Sequence, residues 1–151
     1  DRDVDATLSR LYSTVPGTRE MVQRSAGVLV FPSVVGGSFV VGAEYGKGAL
    51  REGGTTTGYY STTAGSIGFQ AGGQSKAVVY VFNTGEALQK FKASNGWTAG
   101  ADATVAVGKI GANGSVDTET MKQAVSSFIL TNVGLEAGAS VGAAKVTRIS
   151  L

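Results

Sequence analysis

Two glycine-rich segments have the composition of phosphate-binding loops, so nucleotide chemistry is the first possibility to consider. They are Gly42–Gly48 (GAEYGKG) and Gly65–Gly68 (GSIG). A P-loop needs a longer glycine spacing and a Ser or Thr directly after its Lys, and Gly42–Gly48 has neither. Gly65–Gly68 does not lead into a helix start, as a dinucleotide-binding turn must. Neither segment predicts a nucleotide site.

Paired carboxylates can hydrolyse glycosides without histidine, and the chain has two candidate pairs. Glu44 and Glu52 lie near one predicted hairpin, where solvated charge is the ordinary explanation, and Asp117 and Glu119 are typical of a helix start. The chain has no Cys and no His, which removes thiolate nucleophiles, Cys/His zinc sites and imidazole acid–base chemistry. We therefore expect no catalytic residue, no metal and no cofactor, and a protein that binds rather than catalyses.

The charge pattern narrows the class of partner. Net charge is +2, charged residues are 16% of the chain, and the basic ones are scattered rather than gathered on one segment. A nucleic-acid-binding protein concentrates Lys and Arg along one face, so no nucleic-acid partner is predicted. Apolar residues make up 42%, which is typical of a globular chain, and no apolar run reaches the roughly 20 residues of a membrane-spanning helix.

The first segment has the spacing of an amphipathic helix. Its apolar positions share one face at helical intervals: Val4, Leu8, Leu11, Tyr12 and Val15. Pro16-Gly17 ends it, and a second short helix is predicted over about 18–25. The apolar face either covers a sheet or lies on a membrane surface. Residues 1–24 hold equal numbers of basic and acidic groups, which is poorly suited to capture by anionic lipid.

From Ala26 the apolar period changes to two, which predicts strands. A buried strand over 27–31 ends at Pro32. Alternating segments then follow between glycine pairs, and 78–82 is apolar on both faces, as in a central, doubly covered strand. Asn83 or Thr84 starts a short helix carrying Ala87, Leu88 and Phe91. An alternating segment with Ala103, Val105 and Val107 on one side comes next, and two last strands cover about 124–131 and 135–149.

These segments predict one α+β domain over 1–151, with a helical part (1–25) and a β-rich body (26–151). The sheet is expected to be mostly antiparallel, strongly curved and glycine-rich, or a barrel-like meander, with one or two short helices packed on it. Its glycines fall repeatedly on one strand face. They indicate close approach of another element, tight curvature, or a surface that cradles a ligand.

Six segments in a fixed order carry a family resemblance. They are Ser25–Pro32 (SAGVLVFP), Gly42–Gly48, Gly65–Gly72 (GSIGFQAG), 78–82 with Ala87–Phe91, Ala103–Gly108 (ATVAVG) and Val133–Ser140 (VGLEAGAS). In this order, from about Ser25 to Ile149, the chain resembles the SYLF domain, a lipid-binding module of actin-patch proteins and bacterial envelope proteins. Gly58–Ser61, Lys76 and Gly108-Lys109 depart from the usual pattern, which weakens the case for the activities of eukaryotic members.

The resemblance implies binding to phospholipid or a membrane surface through the N-terminal amphipathic helix and nearby basic residues. The lipid-facing candidates it implies are Leu8, Leu11, Tyr12, Val15 and Lys47; we add Arg51 because it lies close to Lys47 in the sequence. A short, cysteine-free chain is most similar to bacterial members. This implies a periplasmic protein or a lipoprotein anchored to the outer membrane, whose signal and anchoring Cys would precede Asp1.

Two alternatives stay open at this stage. One is a structural or protein-interaction domain of the envelope that accepts a protein partner and has no lipid binding of its own. The other is an eight-stranded outer-membrane barrel, which the chain length and the alternation permit and the helix over 86–92 disfavours. The sequence does not specify the lipid or the oligomeric state.

Overall fold

The computed structural model describes residues 2–36, 43–65, 76–108, 114, 122–131, 134–135 and 145–149. In this part of the chain there are three helices: α1 (Arg2–Thr14), α2 (Thr18–Arg24) and α3 (Gly85–Ala93). The same residues form nine strands: β1 (Gly27–Gly36), β2 (Ala43–Glu52), β3 (Thr55–Gly65), β4 (Lys76–Phe82), β5 (Trp97–Thr98), β6 (Val105–Val107), β7 (Val125–Thr131), β8 (Gly134–Leu135) and β9 (Lys145–Ile149).

The two N-terminal helices form where periodicity predicts them, and a tight turn separates them. Gly17 has φ +93°, a left-handed conformation that glycine adopts without steric cost. The buried Thr18 hydroxyl donates a hydrogen bond to the Val15 carbonyl at 2.7 Å. The end of α1 is therefore satisfied locally, and α2 can turn back against the same layer.

The strands form one strongly curled, half-barrel sheet in the order β5-β9-β3-β2-β1-β4-β7-β6, with β8 also paired to β7. Every pairing between named strands is antiparallel except that of β6 with β7, which is parallel. The α+β, mostly antiparallel and strongly curved architecture predicted from the sequence is confirmed. The last predicted strand is described only at its two ends, as β8 and β9.

The first strand does not end at Pro32, as the sequence predicts, but continues to Gly36. Its register shifts between Val30 and Ser33 against β2 and between Phe31 and Val34 against β4. Pro32 has no N–H to donate to the ladder, and a bulge lets the strand pass this residue and resume pairing. Gly48 lies opposite the bulge, where a side chain would overlap the Val30 carbonyl oxygen.

Both faces of the sheet are covered at its central strands, and β4 is buried along its whole length. On one face, α1 and α2 cover a first cluster formed with β1, β4 and β7: Val4, Leu8, Leu11, Val15, Met21, Val28, Val30, Ala49, Ala77, Val79, Val81, Phe128 and Leu130. On the other face, α3 and β5 cover an aromatic cluster that includes Tyr60, Tyr80, Phe82, Phe91 and Trp97. The doubly covered central strand predicted from the sequence is confirmed.

Helix α3 begins with the predicted cap, because the Thr84 hydroxyl accepts a hydrogen bond from the Ala87 N–H at 3.1 Å. Leu88 and Phe91 are buried and Ala87 is half-buried. An ion pair of 3.0 Å between Lys92 and Glu52 ties α3 to the end of β2. The Gly53-Gly54 hairpin turn is confirmed, with φ of +62° and +86°. The predicted strand over 67–71 and the Gly72-Gly73 turn lie outside the described residues.

Candidate functional site

The apolar face of α1 packs on the sheet. Leu11 and Val15 have no exposed surface, and Leu8 is 8% exposed. Their partners include Val28 and Val30 of β1, in the first cluster. Three of the four helix residues that the family resemblance implies as lipid-facing are thus covered while α1 is docked.

Tyr12 differs from the other three because it lies at the edge, or rim, of the buried face of α1. Its ring is half-buried, and the Arg19 guanidinium lies 4.8 Å from the ring centroid in a cation–π contact. Partial burial raises the pKa of the Tyr12 hydroxyl above its ordinary value. A tyrosine hydroxyl is protonated at neutral pH in any case, and at this partly exposed position it can donate a hydrogen bond.

The two basic candidates of β2 lie on the sheet face that α1 covers. Lys47 and Arg51 alternate with Ala49, which belongs to the first cluster, so all three side chains point to the α1 side. Lys47 is exposed, whereas the Arg51 side chain is only 13% exposed. The fold thus brings the six candidate residues, distant in sequence, to one face of the molecule.

Arg51 is held by two elements. Its guanidinium donates a hydrogen bond to the Asp5 carboxylate of α1, and its Nε donates to the Thr56 hydroxyl of β3 at 3.2 Å. The hydrogen bond from Arg51 keeps the pKa of Asp5 below its ordinary value. The Asp5 side chain itself is 63% exposed, so the pair consists of a largely buried cation and a solvent-facing anion.

A pocket of about 440 Å³ lies beside this ion pair, between α1, α2 and the β2–β3 turn. Its wall is partly apolar and partly polar: Asp5, Leu8, Ser9, Tyr12, Val22, Gln23, Ser25, Gly27, Val28, Arg51, Gly53 and Gly54. We call it the Arg51 pocket. Its volume falls within the range of about 300–1,000 Å³ that small-molecule sites occupy.

A second pocket, of about 480 Å³, lies at the other end of the same helix. Its lining combines two basic side chains with apolar and aromatic surface: Arg2, Asp3, Val4, Pro32, Lys47, Gly48, Ala49 and Tyr59. We call it the Lys47 pocket. Each basic candidate of β2 therefore stands beside a pocket that α1 helps to form.

Sequence reasoning missed Asp5, Arg2 and Tyr59. Period-two alternation along β2 is a signal that could have placed Lys47 and Arg51 on one face. No local signal relates Asp5 to Arg51, because they meet only when the helix docks on the sheet.

Carboxylate and metal chemistry can be considered only for the described residues. Among them, no group of three or more acidic side chains could hold a metal ion. Glu52 accepts a hydrogen bond from Thr57 and pairs with Lys92, and these contacts keep the pKa of its carboxyl below the ordinary value. The side chain of Glu44, together with Asp117 and Glu119, lies outside the described part. Of the helices described, none is long and apolar enough to cross a membrane.

Comparison with known proteins decides the family. A family model described as Ysc84, Las17-binding protein actin regulator, matches residues 63–149, which is more than half of the chain. The chain belongs to the SYLF domain family. No curated protein matches it. The matched segment of the SYLF domain begins at Thr63, so α1, α2, β1, β2 and all six candidate residues precede it.

Proposed function

We propose that this SYLF domain is a non-enzymatic domain that associates with phospholipid in a bacterial cell envelope. The contact surface in this proposal is the sheet face that carries α1. One observation carries the proposal. Lys47 and Arg51 flank the buried Ala49 on the same side of β2, and each lines a pocket whose wall also includes apolar side chains. This combination suits an anionic headgroup with its attached hydrocarbon.

The expected strength of this association follows from the charges. Each basic group near an anionic surface contributes about 1 kcal/mol, and Arg2, Lys47 and Arg51 all line the two pockets. Asp3 and Asp5 line the same pockets and oppose part of that attraction. The association is therefore modest, specific for anionic lipid, and weakened by salt.

The docked position of α1 determines how such a contact is made. Leu11 and Val15 can reach lipid only if the helix leaves the sheet, which exposes the cluster beneath it. With α1 docked, the residues open to lipid are those at its rim and in the pockets, among them Tyr12, Lys47 and the edge of Arg51. The proposal uses the docked helix, and the insertion of Leu8, Leu11 and Val15 stays a prediction.

Liposome flotation at low salt tests the proposal. The chain is mixed with vesicles of phosphatidylcholine alone or of phosphatidylcholine with phosphatidylglycerol, and protein in the floating fraction is measured. Lys47→Gln with Arg51→Gln removes the two β2 cations. A matched control, Lys90→Gln with Arg148→Gln, removes two exposed cations on the opposite face of the sheet. Arg148 lies on that face because it is opposite Tyr60, a member of the aromatic cluster, in the β3–β9 register.

We expect the unmodified chain to float with the anionic vesicles and to stay unbound with phosphatidylcholine. The Lys47→Gln, Arg51→Gln variant loses most of this binding, and the control variant keeps it. Flotation with neither vesicle rejects the proposal. Equal loss in the two double variants shows that net charge alone is responsible, which rejects the α1 face as the contact surface.

A protein-interaction role is the second candidate, and one observation favours it. The β3 and β9 half of the same sheet face is incompletely covered: Tyr59, Ser61 and Ile149 are half-buried and Thr147 is exposed. A partly exposed surface that mixes hydroxyl and apolar groups suits a protein partner. Pull-down from a bacterial envelope extract, with Thr147→Arg compared with the unmodified chain, separates this role from lipid binding, because Thr147 lines neither pocket.

A further inference from the structure

We propose that the Arg51 pocket binds one anionic, single-chain amphiphile at a time, and that Asp5 is a built-in competitor for the anionic head. The head is a carboxylate or a phosphate monoester held by the Arg51 guanidinium. This inference rests on the proposed lipid association and makes it more specific, because it names a monomeric ligand and the residue that the ligand displaces.

The apolar half of the ligand has a surface ready for it. Leu8 and Tyr12 of α1, Val22 of α2 and Val28 of β1 all line the pocket. Folding already holds these four side chains in place, because each is buried or half-buried in the packed layer. A hydrocarbon chain laid along them loses contact with water without requiring the protein to rearrange.

The anionic half is selected by Arg51. Its side chain is only 13% exposed, so the guanidinium has lost most of its hydration and needs an anion beside it. A carboxylate or phosphate can present two oxygens to the planar fork of a guanidinium, and the Asp5 carboxylate already accepts a hydrogen bond from that group. The ligand head and Asp5 therefore compete for one cation.

The geometry of the ion pair allows that exchange. Asp5 belongs to the first turns of α1 and its side chain is 63% exposed, so it can rotate into water while Arg51 stays in the pocket. The hydrogen bond from Arg51 to Thr56 does not involve Asp5, so the exchange does not require it to break. The cation is therefore positioned independently of the anion that neutralises it.

The mouth of the pocket is open at the β2–β3 turn. Gly53 and Gly54 are exposed, and a Cβ atom added at either would meet no other atom within 4 Å. Both residues line the pocket beside Arg51. An amphiphile bound with its head at Arg51 therefore keeps that head near the mouth, while its hydrocarbon chain extends along the apolar wall of the pocket.

Isothermal titration calorimetry at neutral pH and low salt tests the inference with monomeric probes. The probes are octyl phosphate, octanoate and the uncharged octyl glucoside, each below its micelle concentration. The variants are Asp5→Asn, Arg51→Gln and the charge-matched control Glu20→Gln, whose exposed carboxylate lies on α2 outside the pocket lining. Far-UV circular dichroism confirms that each variant is folded.

We expect octyl phosphate, octanoate or both to bind with one site per chain, and octyl glucoside not to bind. The comparison of the two anions identifies the preferred head. Asp5→Asn binds the anion roughly fivefold more tightly, since a partly exposed competing ion pair contributes about that factor. Arg51→Gln loses binding and Glu20→Gln matches the unmodified chain.

The inference is overturned if no anion binds, if octyl glucoside binds equally well, or if Asp5→Asn binds no more tightly than Glu20→Gln. Flotation of the same variants with anionic vesicles tests the proposed membrane association separately from binding in the pocket. A chain that floats with anionic vesicles and ignores the monomeric probes contradicts the pocket inference alone. A chain that binds octyl phosphate without floating contradicts the membrane association alone.

Discussion

The guanidinium of Arg51 donates a hydrogen bond to the carboxylate of Asp5, 46 residues earlier in the chain. This contact joins the first turns of α1 to the last part of β2, beside the β2–β3 turn. It also sets the charge of the pocket next to it, because the largely buried cation and its exposed partner both line that space. In the proposed mechanism, stability and ligand binding at this face are therefore coupled through one ion pair.

Acid should weaken the attachment of α1 through this pair. Arg51 lowers the pKa of Asp5 in the folded chain, so the stabilisation is complete above the unfolded pKa of about 3.9 and is lost as pH falls through the lower folded value. We expect Asp5→Asn to be less stable than the unmodified chain at pH 7 and equally stable once Asp5 is protonated. Urea denaturation across this pH range measures the difference.

The control for this prediction repeats the Asp5→Asn comparison in the Arg51→Gln variant. In Arg51→Gln, the Asp5→Asn substitution should change the pH dependence much less, because the main cause of the lowered Asp5 pKa is gone. If the unmodified chain and the Asp5→Asn variant still differ by the same amount in acid, the role given to the ion pair is contradicted.

Shortening one buried side chain of α1 should reveal whether the helix is docked on the sheet. Leu11 has no exposed surface, and Leu11→Ala leaves a cavity between helix and sheet that costs about 2–5 kcal/mol of unfolding free energy. Arg10→Ala, at an exposed neighbouring position, should change it by no more than about 0.5 kcal/mol. Urea denaturation measures the free energy of unfolding of both variants. A Leu11→Ala cost as small as that of Arg10→Ala would mean that α1 is not docked in solution.

Gly48 should tolerate no side chain. A Cβ atom there would overlap the Val30 carbonyl oxygen and lie 2.7 Å from a Phe31 ring atom, because the bulge brings β1 close to β2. Gly48→Ala should cost at least about 1–3 kcal/mol. Gly85→Ala is the matched control: its Cβ would meet nothing within 4 Å, and alanine in α3 should gain up to about 1 kcal/mol. Similar thermal midpoints for the two variants would contradict this account of the bulge.

The hydroxyl of Tyr80 should be dispensable for stability. The residue is completely buried, burial raises its pKa, and within the described residues its oxygen has no hydrogen-bond partner. Its ring meets Phe31 and Trp97 edge-to-face at 6.1 and 5.7 Å, contacts that phenylalanine retains. Tyr80→Phe should leave the unfolding free energy unchanged or raise it by about 1 kcal/mol. A loss of that size would reveal a partner for the hydroxyl.

Local patterns predicted the elements well because the physics that forms them is local. The helical spacing of Leu8 and Leu11, the Thr84 cap and the two-sided apolar run of β4 all depend on neighbouring residues, and all are confirmed. The bulge beside Pro32 and the parallel pairing of β6 were not predicted. They arise from how strands meet across the sheet, which no single segment encodes.

The candidate site was predictable only in part for the same reason. Alternation along β2 is a local property and puts Lys47 and Arg51 on one side. Whether that side faces α1, and whether Leu8 meets lipid or sheet, depends on the packing of distant layers. The family match begins after all of these residues, so it does not assign them either.

The central claim is that the α1 face of the sheet meets phospholipid. Fluorescence from one site-specific label on each face of the sheet tests it most directly. The chain has no Cys, so Ser9→Cys and Lys90→Cys each place one environment-sensitive fluorophore, beside the Arg51 pocket and on α3 respectively. With vesicles containing phosphatidylglycerol, the label at position 9 should shift to the blue and the label at position 90 should not. A shift at position 90 alone, or at neither position, would contradict the claim that the α1 face meets phospholipid.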